Sequence, residues 1–275
     1  MSALKFCANI SWLFTELPEF SQRAQAAARA GFQAVEAAWL YDSDPGELRS
    51  VAERTGLEVA LINTPPGDLK NGDLGLGAVP GREQDFRQGL DQAVQYAKIL
   101  NCKRIHLMAG RVPTGTARPA IAVEMEATFV QNLKYAADIL NKTTMFILLK
   151  YKPINTVEKH ERSFKSHEAV EVAECAPDSR HLFLPPPVQD VYHWQIMDGN
   201  LTQNLQKYFP LIGHVQVAQV PDRHEPDSPG EVNFLYLFNL LEKLGYQGYV
   251  GCEYKPAGST EAGLGWVRKY WEGKK

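Results

Sequence analysis

The sequence lacks any hydrophobic run close to the roughly 20 residues that a membrane-spanning helix needs. It also lacks a signal-peptide pattern, because Met1 to Ala8 leads directly into an apolar segment typical of a first strand. We therefore expect a protein without a membrane partner.

An excess of basic residues is also missing. The 275 residues include 29 Lys and Arg against 32 Asp and Glu, which gives a formal net charge of −3. Proteins that bind nucleic acid normally present a basic face. The charge balance therefore disfavours a nucleic-acid partner and favours a small molecule.

Cysteine is scarce, and its spacing is not that of a metal site. Cys7, Cys102, Cys175 and Cys252 are far apart in the chain. We expect buried free thiols in a reducing compartment, and the predicted location is the cytoplasm.

No G-x-G-x-x-G motif follows the first predicted strand, which disfavours a doubly wound dinucleotide-binding sheet. Eight strand segments instead alternate with helical segments, and several helices end at glycines such as Gly31, Gly56 and Gly245. Such alternation predicts parallel strands joined by helical crossovers. The predicted fold class is α/β, with a single (β/α)8 TIM barrel domain over residues 1–275.

The predicted strands cover residues 6–14, 34–39, 58–63, 104–110, 145–155, 181–190, 214–220 and 249–254. The predicted helices cover residues 20–31, 44–56, 82–100, 120–140, 166–176, 200–212, 234–245 and 260–271. The sixth strand has the weakest pattern, because three consecutive prolines, residues 185–187, cannot donate hydrogen bonds within a sheet.

Polar residues recur where the predicted strands end: Asn9, Glu36, Asn63, His106, Lys152, Asp190, Gln216 and Glu253, with His193 shortly after Asp190. In a parallel barrel these ends form one mouth, where catalytic groups cluster. Asp190, Gln216 and Glu253 offer oxygen atoms, which suit a divalent cation such as Mg²⁺ or Mn²⁺. A simpler explanation for each carboxylate taken alone is helix capping or pairing with an arginine. No organic cofactor is predicted.

A second polar group follows the seventh strand. Residues 220–230 place Arg223 and His224 among turn-forming residues, where a guanidinium can hold a charged substrate. We predict that these two residues, with His106 and His193, bind the substrate. A solvated surface turn, and for His106 a hydrogen-bonded core histidine, are the alternative explanations.

Several longer motifs carry a family resemblance: INTPPGD at 62–68, GLGAVPGR at 75–82, RIHLMAGRVP at 104–113, HWQIMDGNLT at 193–202, GHVQVAQVP at 213–221 and GCEY at 251–254. Over nearly its whole length the chain resembles the animal hydroxypyruvate isomerases, which belong to the xylose-isomerase-like barrels.

The resemblance implies interconversion of hydroxypyruvate and tartronate semialdehyde through an enediol, with two glutamates as acid and base. It matches Glu253 to the second glutamate, and Asp190 and Gln216 to an aspartate and a glutamine that can bind a divalent ion with it. The substrate it implies is a small hydroxy-keto acid.

One residue departs from the family pattern. Residues 149–155 read LKYKPIN where the family has LLEPIN, so Lys152 stands at the position of the first catalytic glutamate. We expect either much reduced activity or a divergent or misassembled stretch of sequence, which continues through residues 156–189. A third, less favoured interpretation is that a buried Lys152 acts as a base with a lowered pKa.

The leading hypothesis is therefore a hydroxypyruvate isomerase, impaired if Lys152 removes one acid/base group. Two alternatives remain: an isomerase or epimerase of another small ketose, and a catalytically silent barrel that binds a metabolite or a protein. A homo-oligomer is compatible with the sequence.

Overall fold

Strands and helices alternate along the chain, as the sequence predicts. The computed structural model of the protein describes residues 3–140, 143, 145–149 and 188–274, with the backbone alone for 146–149. The strands are β1 Lys5–Asn9, β2 Ala34–Ala37, β3 Glu58–Asn63, β4 Arg104–Leu107, β5 Phe146–Leu149, β6 Val188–Asp190, β7 His214–Val217 and β8 Tyr249–Cys252. The described α-helices are α1 Phe20–Arg29, α2 Pro45–Thr55, α3 Glu83–Ile99, α4 Arg118–Leu140, α5 Val191–Met197, α6 Leu201–Tyr208, α7 Phe234–Leu244 and α8 Gly265–Glu272.

The strands form one sheet in the order β5-β4-β3-β2-β1-β8-β7-β6, and each described pair is parallel. β1 pairs with both β2 and β8, so the first and last strands are neighbours. A parallel strand order that runs through the chain in sequence and places the last strand beside the first is that of a barrel surrounded by its crossover helices. The prediction of a (β/α)8 barrel is confirmed.

Along β1, successive side chains point alternately to the surrounding helices and to the barrel interior. Phe6 packs edge-on against Phe238, Trp266 and Tyr270 of α7 and α8, with ring centroids 5.1–5.3 Å apart. Because successive side chains of a strand point to opposite faces, Cys7 and Asn9 lie on the inner face. Both are buried.

Local signals fix the ends of several helices. Asp44 caps α2 by accepting a 2.7 Å hydrogen bond from the Gly46 amide, and Pro45 occupies the first helical position, as predicted. Gly245 ends α7 in a left-handed conformation with φ of +82°, which a residue with a Cβ rarely adopts.

Several elements differ from the sequence prediction; for example, β4 and β7 end at Leu107 and Val217, three residues earlier than predicted. β1 ends at Asn9 rather than Phe14, because the Asn9 side-chain oxygen accepts from the Ser11 amide and the chain turns there. Helix α5, which was not predicted, begins directly after β6 with Asp190 as its cap. The closing helix is divided into a 3₁₀ turn, Glu261–Leu264, and α8.

Several predicted features lie outside the described residues: Lys152, Cys175, the helix at 166–176 and the proline run at 185–187. The other three cysteines, Cys7, Cys102 and Cys252, are buried and free. Among the helices that the structure describes, none combines the length and apolar character needed to cross a bilayer.

Candidate active site

A buried carboxylate, Glu36 of β2, lies at the centre of the barrel interior. Its Oε2 lies 2.6 Å from His214 Nε2 and 3.4 Å from Cys7 Sγ. Its Oε1 accepts from Gln216 Nε2 at 2.6 Å and from Asn9 Nδ2 at 2.9 Å. Each oxygen therefore has two polar partners, which compensates for the cost of burying a charge.

These contacts cross the barrel. β1 and β8 separate β2 from β7 in the sheet, so the side chain of Glu36 reaches β7 only through the interior. Gly251 of β8 leaves the space that the Glu36 side chain occupies, because a Cβ at position 251 would lie 2.4 Å from Glu36 Oε2. The position of the Glu36 side chain therefore depends on a glycine at position 251.

We predict that Gly251→Ala lowers the free energy of unfolding by about 1–3 kcal/mol, the usual cost of forcing extra volume into a packed interior. Urea unfolding of the variant and the wild type measures the effect. Gly265→Ala is the matched control, since a Cβ there meets nothing within 4 Å and its stability should change little. Equal stability of Gly251→Ala and wild type would contradict the cross-barrel packing.

Charge and burial act in opposite directions on Glu36. Burial raises the pKa of its carboxyl, but the His214 charge and the hydrogen bonds from His214, Gln216 and Asn9 lower that pKa below its ordinary value overall. The same carboxylate, after burial itself, raises the pKa of the Cys7 thiol well above its ordinary value. Glu36 is therefore ionised and Cys7 protonated at neutral pH.

Cys7, Glu36 and His214 also form a group that could hold a metal ion, with one ligand atom from each lying within 4.8 Å of the others. Cysteine binds metals as the thiolate. A thiol with a raised pKa that lies beside a carboxylate is better suited to donating a hydrogen bond. The contacts within this group are those of a hydrogen-bonded cluster.

The mouth of the barrel brings together three of the predicted site residues. Arg223 Nη2 donates to Glu253 Oε1 at 2.7 Å and lies 3.7 Å from Asp190 Oδ2. Asp190 is the last residue of β6 and Glu253 directly follows β8, and both are buried. The guanidinium therefore links the carboxylates of two strands.

The simpler roles considered for these carboxylates are also present. Asp190 Oδ1 accepts from the amides of Tyr192 and His193, at 2.9 and 3.4 Å, and so caps α5. Its Oδ2 is directed to the mouth, towards Arg223 and His193. One carboxylate thus positions a helix with one oxygen and contributes to the site with the other.

Backbone and aromatic contacts hold Arg223 in place. Its amide donates to Gln219 O at 2.8 Å, its carbonyl accepts from Lys255 N at 2.8 Å, and its φ is +59°. The guanidinium lies between the rings of Trp12 and Tyr192, 4.5 and 4.9 Å from their centroids. Such stacking fixes the plane of the guanidinium and is favourable in itself.

The three predicted histidines occupy different environments. His193 is buried with Nε2 3.5 Å from Asp190 Oδ2, and so belongs to the mouth. His106 is buried on β4, beside Asn63 of β3 in the register. His224 Nδ1 lies 2.7 Å from the Lys255 carbonyl, which ties its ring to the segment after β8.

Gln216 provides the test of whether the predicted cation fits. Its Oε1 is buried and has no hydrogen-bond partner among the residues that the structure describes, although its Nε2 is bonded to Glu36. Asp190 is its neighbour in the parallel register, so the amide oxygen and the carboxylate share the inner face. An unsatisfied amide oxygen among carboxylates is a donor set that suits a hard divalent cation.

Sequence reasoning missed part of this arrangement. The sequence pattern identifies Glu36 only as a strand end, and it predicts no role in the site for Cys7, His214, Trp12 or Tyr192. One local signal was available, since a single carboxylate interrupts the apolar stretch of residues 34–38. A charge in a strand buried on both faces requires partners inside the protein.

Comparisons with known proteins agree with this geometry. A family model described as "Xylose isomerase-like TIM barrel" matches residues 24–270. A Danio rerio protein named "Putative hydroxypyruvate isomerase" is 62% identical over 274 residues, covering 100% of this chain and 98% of its own. A Haemophilus influenzae protein named 2-oxo-tetronate isomerase is 42% identical over 267 residues, covering 97% of this chain and 99% of its own.

A solved structure extends the comparison. The crystal structure described as AP endonuclease, family 2, from Brucella melitensis is 41% identical, with a TM-score of 0.84, and the match covers 97% of this chain and 99% of that one. The family model spans most of the sequence, and the relatives match it from end to end. The chain therefore belongs to the xylose isomerase-like TIM barrel family.

Proposed function

We propose that this chain is an isomerase that interconverts hydroxypyruvate and tartronate semialdehyde through an enediol, with activity reduced by Lys152. The observation that carries the proposal is the convergence of Asp190 and Glu253 around the Arg223 guanidinium at the barrel mouth. The names of full-length relatives support an isomerase of small keto acids. The proposal treats residues 1–275 as a single domain, located in the cytoplasm.

The reaction moves one proton between neighbouring carbons. A base removes a proton from the hydroxymethyl carbon of hydroxypyruvate and leaves an enediolate. A proton then returns to the former carbonyl carbon, and the proton of the terminal hydroxyl passes to the oxygen on that carbon, which gives an aldehyde and a new hydroxyl group without an external oxidant. Glu253 is suited to one of these proton transfers, because a positioned carboxylate at the mouth can both accept and return a proton.

Arg223 is suited to hold the carboxylate of the substrate. Its Nε is buried and has no hydrogen-bond partner in residues 3–140 and 188–274, so one donor of the guanidinium remains for an anion. Stacking between Trp12 and Tyr192 fixes the direction of that donor. Planar, two-pronged recognition of carboxylates is what a guanidinium does best.

The residues placed to hold a divalent cation are Asp190, Gln216 and Glu253. When bound, such an ion would polarise the substrate carbonyl and offset negative charge that develops on its oxygen. Arg223 already provides positive charge between the two carboxylates.

Arg223→Lys is expected to raise KM for hydroxypyruvate by about 10- to 100-fold, because a charge-assisted hydrogen bond contributes about 1.5–3 kcal/mol and a lysine neither forks nor stacks in the same way. Steady-state kinetics in the Lys152→Glu background, described below, provides the measurement. Arg49→Lys is the control, since Arg49 is an exposed residue of α2 paired with Glu53. An unchanged KM in Arg223→Lys would show that the substrate carboxylate binds elsewhere.

The substrate is tested by comparing kcat/KM for hydroxypyruvate, 2-oxo-tetronate and a panel of uncharged ketoses, with Mg²⁺ or Mn²⁺ present. We expect hydroxypyruvate to be the best substrate. The Haemophilus influenzae relative makes 2-oxo-tetronate the second candidate. A preference for uncharged ketoses would contradict the role given to Arg223.

A further inference from the structure

Glu36 has a role beyond filling the barrel interior. We propose that Glu36 is a positioning residue, which fixes the amide of Gln216 so that its carbonyl oxygen, rather than its amino group, faces the divalent cation at the mouth. This inference rests on the proposed function for the identity of the ligand. The orientation itself follows from the contacts of Glu36.

The first step concerns Asn9, whose amide is fixed by the backbone. Asn9 Oδ1 accepts from the Ser11 amide at 3.1 Å, so its Nδ2 must be the end that faces Glu36. Glu36 Oε1 therefore already accepts one hydrogen bond that cannot be reversed.

The second step concerns Gln216. A reversed amide would place its oxygen 2.6 Å from Glu36 Oε1, where two acceptors would repel each other. The other carboxylate oxygen is occupied by His214 and Cys7. Glu36 thus selects the amino end of Gln216 and directs the carbonyl oxygen away from itself.

The third step is the consequence at the mouth. Within the described part of the chain, Gln216 Oε1 remains buried without a hydrogen-bond partner, on the same inner face as Asp190. A buried polar atom left unsatisfied is costly, and an ion that binds to it is one explanation for its presence in a folded protein. Partners that orient a metal ligand typically change metal affinity by about 10- to 100-fold when they are removed.

The test compares Glu36→Gln with the wild type by Mn²⁺ titration calorimetry and by urea unfolding. We expect the Mn²⁺ dissociation constant to rise about 10- to 100-fold, because an uncharged glutamine at position 36 holds the amino group of Gln216 less strongly than a carboxylate does. Glu242→Gln is the matched control. It changes a buried carboxylate that pairs with Tyr270 and Lys274 outside the barrel, and should leave Mn²⁺ affinity unchanged even where stability falls.

A swapped set separates positioning from general stability. In Asn9→Asp/Glu36→Gln/Gln216→Glu, the amino group at position 36 donates to the carboxylates at positions 9 and 216, and the second oxygen of residue 216 then faces the mouth. We expect the triple variant to regain Mn²⁺ affinity close to wild type. A folded Glu36→Gln with wild-type affinity, or a folded triple variant no better than the single one, would overturn the inference.

A spectroscopic measurement keeps the inference testable without metal binding or a folded variant. In wild-type protein labelled with ¹⁵N-glutamine, the Gln216 side-chain amide should exchange with solvent far more slowly than that of the exposed Gln33. Fast exchange would show that Glu36 does not hold it. If the wild type binds no Mn²⁺ while this amide is protected, the proposed cation fails and the positioning of Gln216 stands.

Discussion

Lys152→Glu is expected to raise kcat/KM for hydroxypyruvate by about 10²- to 10⁴-fold, the range that a positioned acid or base contributes. The family resemblance places a glutamate at this position. The substitution would therefore supply the second proton carrier that the resemblance implies, and it replaces a positive charge by a negative one. Steady-state isomerisation of hydroxypyruvate with Mg²⁺ or Mn²⁺ measures the effect.

Lys150→Glu is the control for this change, because it makes the same charge reversal two residues earlier in the same stretch. We expect it to leave turnover near the wild-type level. If Lys152→Glu does not turn over hydroxypyruvate but isomerises an uncharged ketose, the proposed substrate is wrong. If it is folded and inactive towards both, the chain is better described as a catalytically silent barrel.

Glu253→Gln is expected to lower kcat by about 10²- to 10⁴-fold, in the wild type and in the Lys152→Glu background. Glutamine keeps the shape of the side chain and an oxygen that can accept from Arg223 Nη2, which lies 2.7 Å from Glu253 Oε1. The loss would therefore reflect the missing acid/base group more than a displaced arginine. Kinetics should show a fall in kcat with a smaller change in KM.

Glu261→Gln provides the comparison for Glu253→Gln, because Glu261 is exposed in the 3₁₀ turn before α8. Its kinetics should equal those of the parent protein. Unchanged kcat in Glu253→Gln would place the acid/base group elsewhere in the barrel, and the role assigned to the β8 carboxylate would have to be withdrawn.

The order of strands and helices is readable from the sequence because its signals are local. Asp44 with Pro45 begins α2, and Gly56 ends it in a left-handed conformation. Helix α5 was missed because Asp190 belongs to two elements at once, the end of β6 and the cap of α5. A sequence pattern for a strand contains no signal that its last residue also begins a helix.

Part of the candidate site can also be predicted from the sequence. The carboxyl ends of parallel strands meet at one mouth, so Asp190, Gln216 and Glu253 could be grouped without coordinates. The partnership of Glu36 with His214 could not be predicted, because β2 and β7 are not neighbours in the sheet. It depends on the barrel diameter and on the space left by Gly251.

The most direct test follows proton transfer in hydroxypyruvate by ¹H NMR in D₂O, with Mn²⁺ or Mg²⁺ added and the Lys152→Glu protein as catalyst. The account predicts tartronate semialdehyde with solvent deuterium on the former carbonyl carbon, and none above background with Lys152→Glu/Glu253→Gln. Folded Lys152→Glu protein that binds the ion but exchanges no proton, or equal exchange by the double variant, would contradict it.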